Sequence, residues 1–304
     1  MISFDTFAVG IGFPEGPVAM NDGSVLFVDI QKQTLSRVWP GQKPELLTRL
    51  PGGPNGVAIG PDGAAYVCNN GGVYSFKSYG GKTIPGPAPI GFLGGWIERV
   101  DLATGGVTRL YDTCGSRKLI APNDIVFDMA GGFWFTDTGY QDDCLIHKGG
   151  VYYAKIDGSS ITRKADIQTP NGIGLSPDGQ TVYVADTIFG RLWALDLQND
   201  NEVKSGPLPV MTGRVVATLP GFQWVDSLKV EASGQICVGT IFTGGISVFS
   251  LNGTFEHVVV DDIFTTNLCF GGADMQDVYV TASSTGRLLK GRWPRAGHKL
   301  AFNV

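Results

Sequence analysis

The sequence predicts an all-β fold, a six-bladed β-propeller with a central metal-binding channel, and three observations carry this expectation. First, six segments share one pattern: an acidic or amide residue, an apolar run, a glycine-containing turn, and a β-rich run ending in small or polar residues. Second, a glycine stands eight positions after the leading residue in five of the six. Third, 44 glycines and 17 prolines with only 17% charged residues supply many turns and little material for solvated helices.

The segments are PEGPVAMNDGSVLFVDI from Pro14, PNGVAIGPDGAAYVCNN from Pro54, PNDIVFDMAGGFWFTDT from Pro122, PNGIGLSPDGQTVYVADT from Pro170, VDSLKVEASGQICVGT from Val225 and TNLCFGGADMQDVYVTAS from Thr266. Their leading residues are Glu15, Asn55, Asn123, Asn171, Asp226 and Asn267, spaced 40, 68, 48, 55 and 41 residues apart. Four-stranded propeller blades repeat at about 40–50 residues, so six leads imply six blades, read as one domain over residues 1–304. The glycines at the fixed offset are Gly23, Gly63, Gly131, Gly179 and Gly234; the sixth segment has Met275 there. A tight hairpin that needs positive φ at one position explains the glycine.

Further runs such as GGVYYAKID (149–157), GRLWALDL (190–197) and GGISVFSLN (244–252) supply outer strands. A ring of blades leaves a seam whose open strand edges invite aggregation. Residues from about Phe4 to Ile11 are therefore expected to pair with the last blade. The long second interval contains KSYGGKTIPGPAPIGFLGGW (77–96), so rich in Gly and Pro that it reads as an irregular loop over one mouth of the channel.

In a propeller the first strand of each blade lines the axis, so the six leads are expected at one level of the channel. Two carboxylates and four carboxamides make an all-oxygen set, and such hard donors suit Ca²⁺, Mg²⁺ or Mn²⁺ better than metals that recruit imidazole or thiolate. One divalent cation is expected, calcium foremost, with Mg²⁺, Mn²⁺, Fe²⁺ and Zn²⁺ as the other ions considered. Asn and Asp before Gly are ordinary turn formers, which accounts for Asn55 or Asn267 without a metal. It does not account for Glu15 at the same offset. Two carboxylates near an axis repel, each raising the other's pKa, unless a cation lies between them.

Several classes are excluded or disfavoured. The net charge of −5 and the lack of a dense Lys/Arg run argue against nucleic acid. No stretch approaches the roughly 20 apolar residues of a membrane span, and the first residues lack the pattern of a secretory signal. Five scattered cysteines, Cys68, Cys114, Cys144, Cys237 and Cys269, fit neither a zinc knuckle nor a disulfide framework. They read as reduced, mostly core thiols, and a soluble cytoplasmic protein is the expectation. There is no GxSxG elbow and no phosphate loop in strand-to-helix context.

With EGP at 15–17, PND at 122–124, PNGIGLSPDGQTVYVADT at 170–187 and TNLCFGG followed by VYVT at 266–281, nearly the whole chain resembles the gluconolactonase and senescence marker protein (regucalcin) superfamily, which is related to diisopropylfluorophosphatase. The resemblance implies that Glu15, Asn171 and Asp226 bind a catalytic metal, with Asn123 as a fourth ligand or substrate contact and Asp124 beside the pocket. Ala121 stands where sugar-lactone members can carry arginine. The implied activity is metal-dependent opening of a lactone ring by activated water, on a small lactone or ester. Asp226 is the first choice of proton acceptor; Asp124, and Asp137 in FTDTG, are second choices. Asn55, Tyr140 and Trp224 are candidate substrate contacts, in a neighbourhood that also offers Phe13, Trp96, Phe222 and Phe242. The alternative activity is a phosphotriesterase or fluorophosphatase on the same ring, and the non-enzymatic alternative is a propeller that binds a partner on its rim.

Overall fold

A computed structural model describes residues 2–142, 144–198, 201–206, 208 and 211–302. It is all-β, with six antiparallel sheets arranged as the blades of a propeller. The innermost strands, in chain order, are Pro14–Ala19, Pro54–Ile59, Pro122–Phe127, Pro170–Leu175, Trp224–Val230 and Thr265–Gly271. Each pairs outward with the strand that follows its turn, and each of these six blade sheets has at least four strands. Among the described residues no helix is long and apolar enough to cross a membrane.

The ring closes as the edge argument requires. Phe4–Ala8 pairs antiparallel with Arg287–Arg292, the third strand of the sixth blade, with Phe4 opposite Gly291 and Thr6 opposite Leu289. One sheet thus contains strands from both ends of the chain.

All six turns after the innermost strands share one geometry. In each, the residue eight positions after the lead donates its N–H to the carbonyl three residues earlier, from Gly23 to Met20 through to Gly234 to Glu231. The sixth does the same without glycine: Met275 donates to Gly272 and sits at φ +57, where Gly23 has +82 and Gly179 has +68. The broken motif therefore hides an unbroken turn, at the steric cost of a side chain in the left-handed region.

The apolar residues on the two faces of each sheet meet their counterparts on the neighbouring sheets. Leu26, Val28 and Leu50 pack with Val57, Val67 and Val100 between the first and second blades. Tyr66 and Ile97 pack with Phe133 and Phe135 between the second and third. The four remaining interfaces are built the same way. This is why strands such as Val25–Asp29 and Ile236–Ile241 are buried at every residue instead of alternating.

The 77–96 segment differs from its sequence expectation. Ser75–Tyr79 and Lys82–Gly86 form a two-stranded hairpin, and Trp96 already begins the third strand of the second blade. The glycines responsible for the irregular reading, Gly80 and Gly81, are the hairpin's turn, both at positive φ. The hairpin does lie over one mouth: Phe76 and Ile84 pack against a cluster of Phe13, Ile30, Ile241 and Phe264, drawn from the first, fifth and sixth blades.

Candidate functional site

Every innermost strand has a register shift at its lead: between Glu15 and Val18, Pro54 and Val57, Pro122 and Ile125, Pro170 and Ile173, Val225 and Leu228, and Thr265 and Asn267. Such a bulge bends a strand and re-aims a side chain. Glycine just after the lead lets adjacent blades approach. A Cβ on Gly16 would lie 2.4 Å from the Asn55 carbonyl oxygen, on Gly56 2.4 Å from that of Asn123, and on Gly172 2.5 Å from that of Asp226. The leads are thereby drawn into a tight ring.

A second repeated device anchors the ring. Aspartate or asparagine at the end of a second strand accepts backbone N–H groups from the residues just before the first strand: Asp29 from Gly12 and Phe13, Asn69 from Gly53, Asp186 from Thr169. Asp137 does this for Ile120 and Ala121, and also accepts from Gly139. Its carboxylate is fully buried and committed to three backbone donors, so the sequence reading of Asp137 as a candidate base is corrected to that of a structural clamp.

Glu15, Asn55, Asn123, Asp124, Asn171, Asp226 and Asn267 are all buried. Glu15 Oε2 accepts from the Gly16 N–H at 2.9 Å and the Asn267 Nδ2 at 2.8 Å. Burial pushes its carboxyl up to about 7, against hydrogen bonds from Thr266, Asn267 and Gly16 that pull it down, while the Asp124 charge pushes the same way as burial. Asp226 is pushed well above the usual carboxylate range, by burial first and then by the charge of Glu15, despite a hydrogen bond with Asn171. The amide oxygens Asn123 Oδ1 and Asn171 Oδ1 are buried with no hydrogen-bond partner among the described residues.

The ring is not uniform. Asn267, equivalent by repeat, turns its amide nitrogen to Glu15, and its oxygen accepts from the Leu268 N–H at 2.8 Å and from Lys229 Nζ at 3.5 Å. It holds a ligand candidate instead of acting as one. Asp124 is 3.5 Å from the Lys229 ammonium, which reaches it from the fifth blade. Lys229 went unnoticed in the sequence because nothing in the repeat marks it; its position three residues after Asp226 on an axial strand was the available signal. Tyr74 was missed too. It lies outside the repeat, yet its phenol is pushed up by burial and by the charges of Asp226 and Glu15.

Tyr74 also lines a cavity of about 370 Å³ together with Tyr140, Trp224, Ile146, Ile188 and Pro87. Two of the three candidate substrate contacts, Tyr140 and Trp224, thus share one wall, whereas Asn55 belongs to the ring and does not line this cavity. Tyr140 is stacked on His147 with ring centroids 4.2 Å apart, and Trp224 packs against Phe242 at 5.1 Å.

Can the ring hold a cation? Among the described residues no three Asp, Glu, His or Cys side chains are arranged as a metal-ligand group. The donor set does fit a hard cation once amide oxygens are counted. Two buried, unpartnered carboxamide oxygens beside two mutually repelling carboxylates are what an oxygen-liganded divalent ion satisfies, and buried polar atoms otherwise rarely go unpaired.

A propeller with an acidic and amide ring at its axis is thus the class that fold and site define. The family described as SMP-30/Gluconolactonase/LRE-like region matches residues 13–284, and the chain belongs to that family. It is 29% identical over 248 residues to lactonase drp35 of Staphylococcus saprophyticus, a match spanning 79% of this chain and 67% of that protein. In fold it is similar to a gluconolactonase from Xanthomonas campestris, with a TM-score of 0.75 at 22% identity over 96% of this chain and 90% of that one. It is also similar to a calcium-binding protein, regucalcin, from Agrobacterium tumefaciens, with a TM-score of 0.72 at 19% identity over 98% of both chains.

Proposed function

We propose that this protein is a divalent-cation-dependent lactone hydrolase. The observation that carries the reading is the pair of unpartnered amide oxygens, Asn123 Oδ1 and Asn171 Oδ1, buried in the ring that also contains Glu15 and Asp226. Membership of the SMP-30/Gluconolactonase/LRE-like family and the lactonase drp35 relative support the substrate class. The calcium-binding regucalcin neighbour favours calcium as the cation.

Glu15, Asn123, Asn171 and Asp226 would hold the ion. When bound, a divalent cation supplies Lewis acidity toward an ester carbonyl and offsets the charge of the two carboxylates. Asp226 accepts the proton of the water that attacks the carbonyl carbon. The acyl–oxygen bond of the ring then breaks and the departing ring oxygen takes that proton from Asp226, so lactone and water become a hydroxycarboxylic acid and the carboxylate is regenerated. Asp226 suits this part better than Asp124, because Asp124 is already paired with the Lys229 ammonium. Asn267 and the Gly16 N–H hold Glu15 in place.

Asp226→Asn is expected to lower kcat/KM on lactones by about 10³-fold or more while circular dichroism shows the β-fold retained. Full turnover in that variant, or full activity in protein shown to be free of metal, refutes the assignment.

A further inference from the structure

We propose that the lactone this site accepts is apolar outside its reacting ring, carrying an alkyl or aryl group, and is not a polyhydroxylated sugar lactone. The inference rests on the reading of the ring as a lactone hydrolase and adds what the neighbouring cavity selects.

The 370 Å³ cavity opens beside the ring: Tyr74 lines it and feels the charges of Asp226 and Glu15, Trp224 lies two residues before Asp226, and Thr169 two before Asn171. None of the residues lining it is Asp, Glu, Lys, Arg or His. Two of its polar groups are already committed. Thr138 Oγ1 donates to the Pro170 carbonyl at 2.9 Å, and Thr169 Oγ1 to Asp186 at 2.8 Å. Thr187 Oγ1 and Trp224 Nε1 are buried with no hydrogen-bond partner among the described residues. What remains toward a ligand is chiefly the apolar surface of Val73, Pro85, Pro87, Ala88, Ile146 and Ile188, with Tyr74, Tyr140, Gln141, Thr187 and Trp224 as the polar exceptions.

A sugar lactone placed there would give up the hydration of several hydroxyls and recover few hydrogen bonds, and each hydroxyl left unpaired weakens its binding. An alkyl group gains from the same surface, because its own apolar area leaves water there. The rim continues the apolar character. Next to Trp224, Phe222 is 76% exposed, and Phe242 stacks on it at 5.2 Å. Phe242 is held at φ +79, a conformation costly for a bulky residue.

The test compares kcat/KM for γ-nonalactone, whose pentyl chain is the apolar probe, with that for D-glucono-1,5-lactone, using cation-loaded wild-type protein. Calorimetric titration of γ-nonalactone into the Asp226→Asn protein accompanies it. The expected result is a preference of about 10-fold or more for γ-nonalactone, reduced about 10-fold in Ile188→Asn and in Val73→Ser. Ile188 is only partly buried, which lets that variant fold even if Val73→Ser does not. A preference for the glucono-lactone overturns the inference and leaves the hydrolase reading standing. If neither lactone is hydrolysed but γ-nonalactone binds and Ile188→Asn weakens that binding, the cavity assignment stands and the hydrolase reading falls. Absence of both turnover and binding overturns the inference.

Discussion

Replacing Glu15 by glutamine tests the electrostatics on which the site depends. In the cation-free protein, burial raises the Glu15 carboxyl from 4.5 to about 7. A raised carboxyl means that the folded protein holds its proton more tightly than the unfolded chain, so stability is lost as pH rises from 4.5 and the loss is complete above about 7. A shift of this size corresponds to about 3 kcal/mol, using about 1.4 kcal/mol for each pH unit. Glutamine keeps the shape and carries no charge. In the presence of chelator, Glu15→Gln should therefore gain about 3 kcal/mol on wild type between pH 4.5 and pH 8, measured by urea unfolding at several pH values. With saturating Ca²⁺ the order reverses, because wild type then gains binding free energy that the variant gives up. A wild-type-to-variant difference that does not move with pH in chelator refutes the claim that Glu15 is buried among like charges.

Three further changes probe the scaffold around the ring. Lys229→Met leaves Asp124 buried without its cation and should cost about 3 kcal/mol at pH 7 by urea unfolding; Lys229→Arg should restore much of it. Glu231, fully buried, accepts from Trp293 Nε1 at 2.8 Å and Arg295 Nε at 2.6 Å, tying the segment after the last strand to the fifth blade. Its carboxyl is held below the usual range by those hydrogen bonds against the opposing effect of burial, so its contribution is present above pH 4.5 and fades as pH falls through the depressed value. Glu231→Ala should cost about 3–5 kcal/mol at neutral pH and less in acid, read from the thermal midpoint. Gly179→Ala introduces a Cβ that meets nothing within 4 Å, so its cost of about 1 kcal/mol is purely that of φ +68, and an unchanged urea midpoint would contradict it.

Much of the architecture is legible in the chain because a propeller repeats it. The eight-residue offset from Glu15 to Gly23, recurring through Asp226 to Gly234, is a local property of a strand and its turn, so blade number and the axial leads follow from residue order alone. The seam was legible for a similar reason: an unpaired edge is a local defect, and Phe4–Ala8 is the strand available to cover it.

What folding alone decided is how equivalent positions come to differ. Asn267 and Asn171 are interchangeable in the repeat, yet one spends its amide on Glu15 and the other leaves its oxygen unpartnered, because only their neighbours across the axis distinguish them. Lys229 and Tyr74 stand outside the repeat, whereas the clamp made by Asp137 does recur, at Asp29, Asn69 and Asp186, 14 or 15 residues after each lead. An ion pair such as that of Lys229 with Asp124 leaves no periodic trace in either segment, and its partner is chosen only when the six blades close around a common axis.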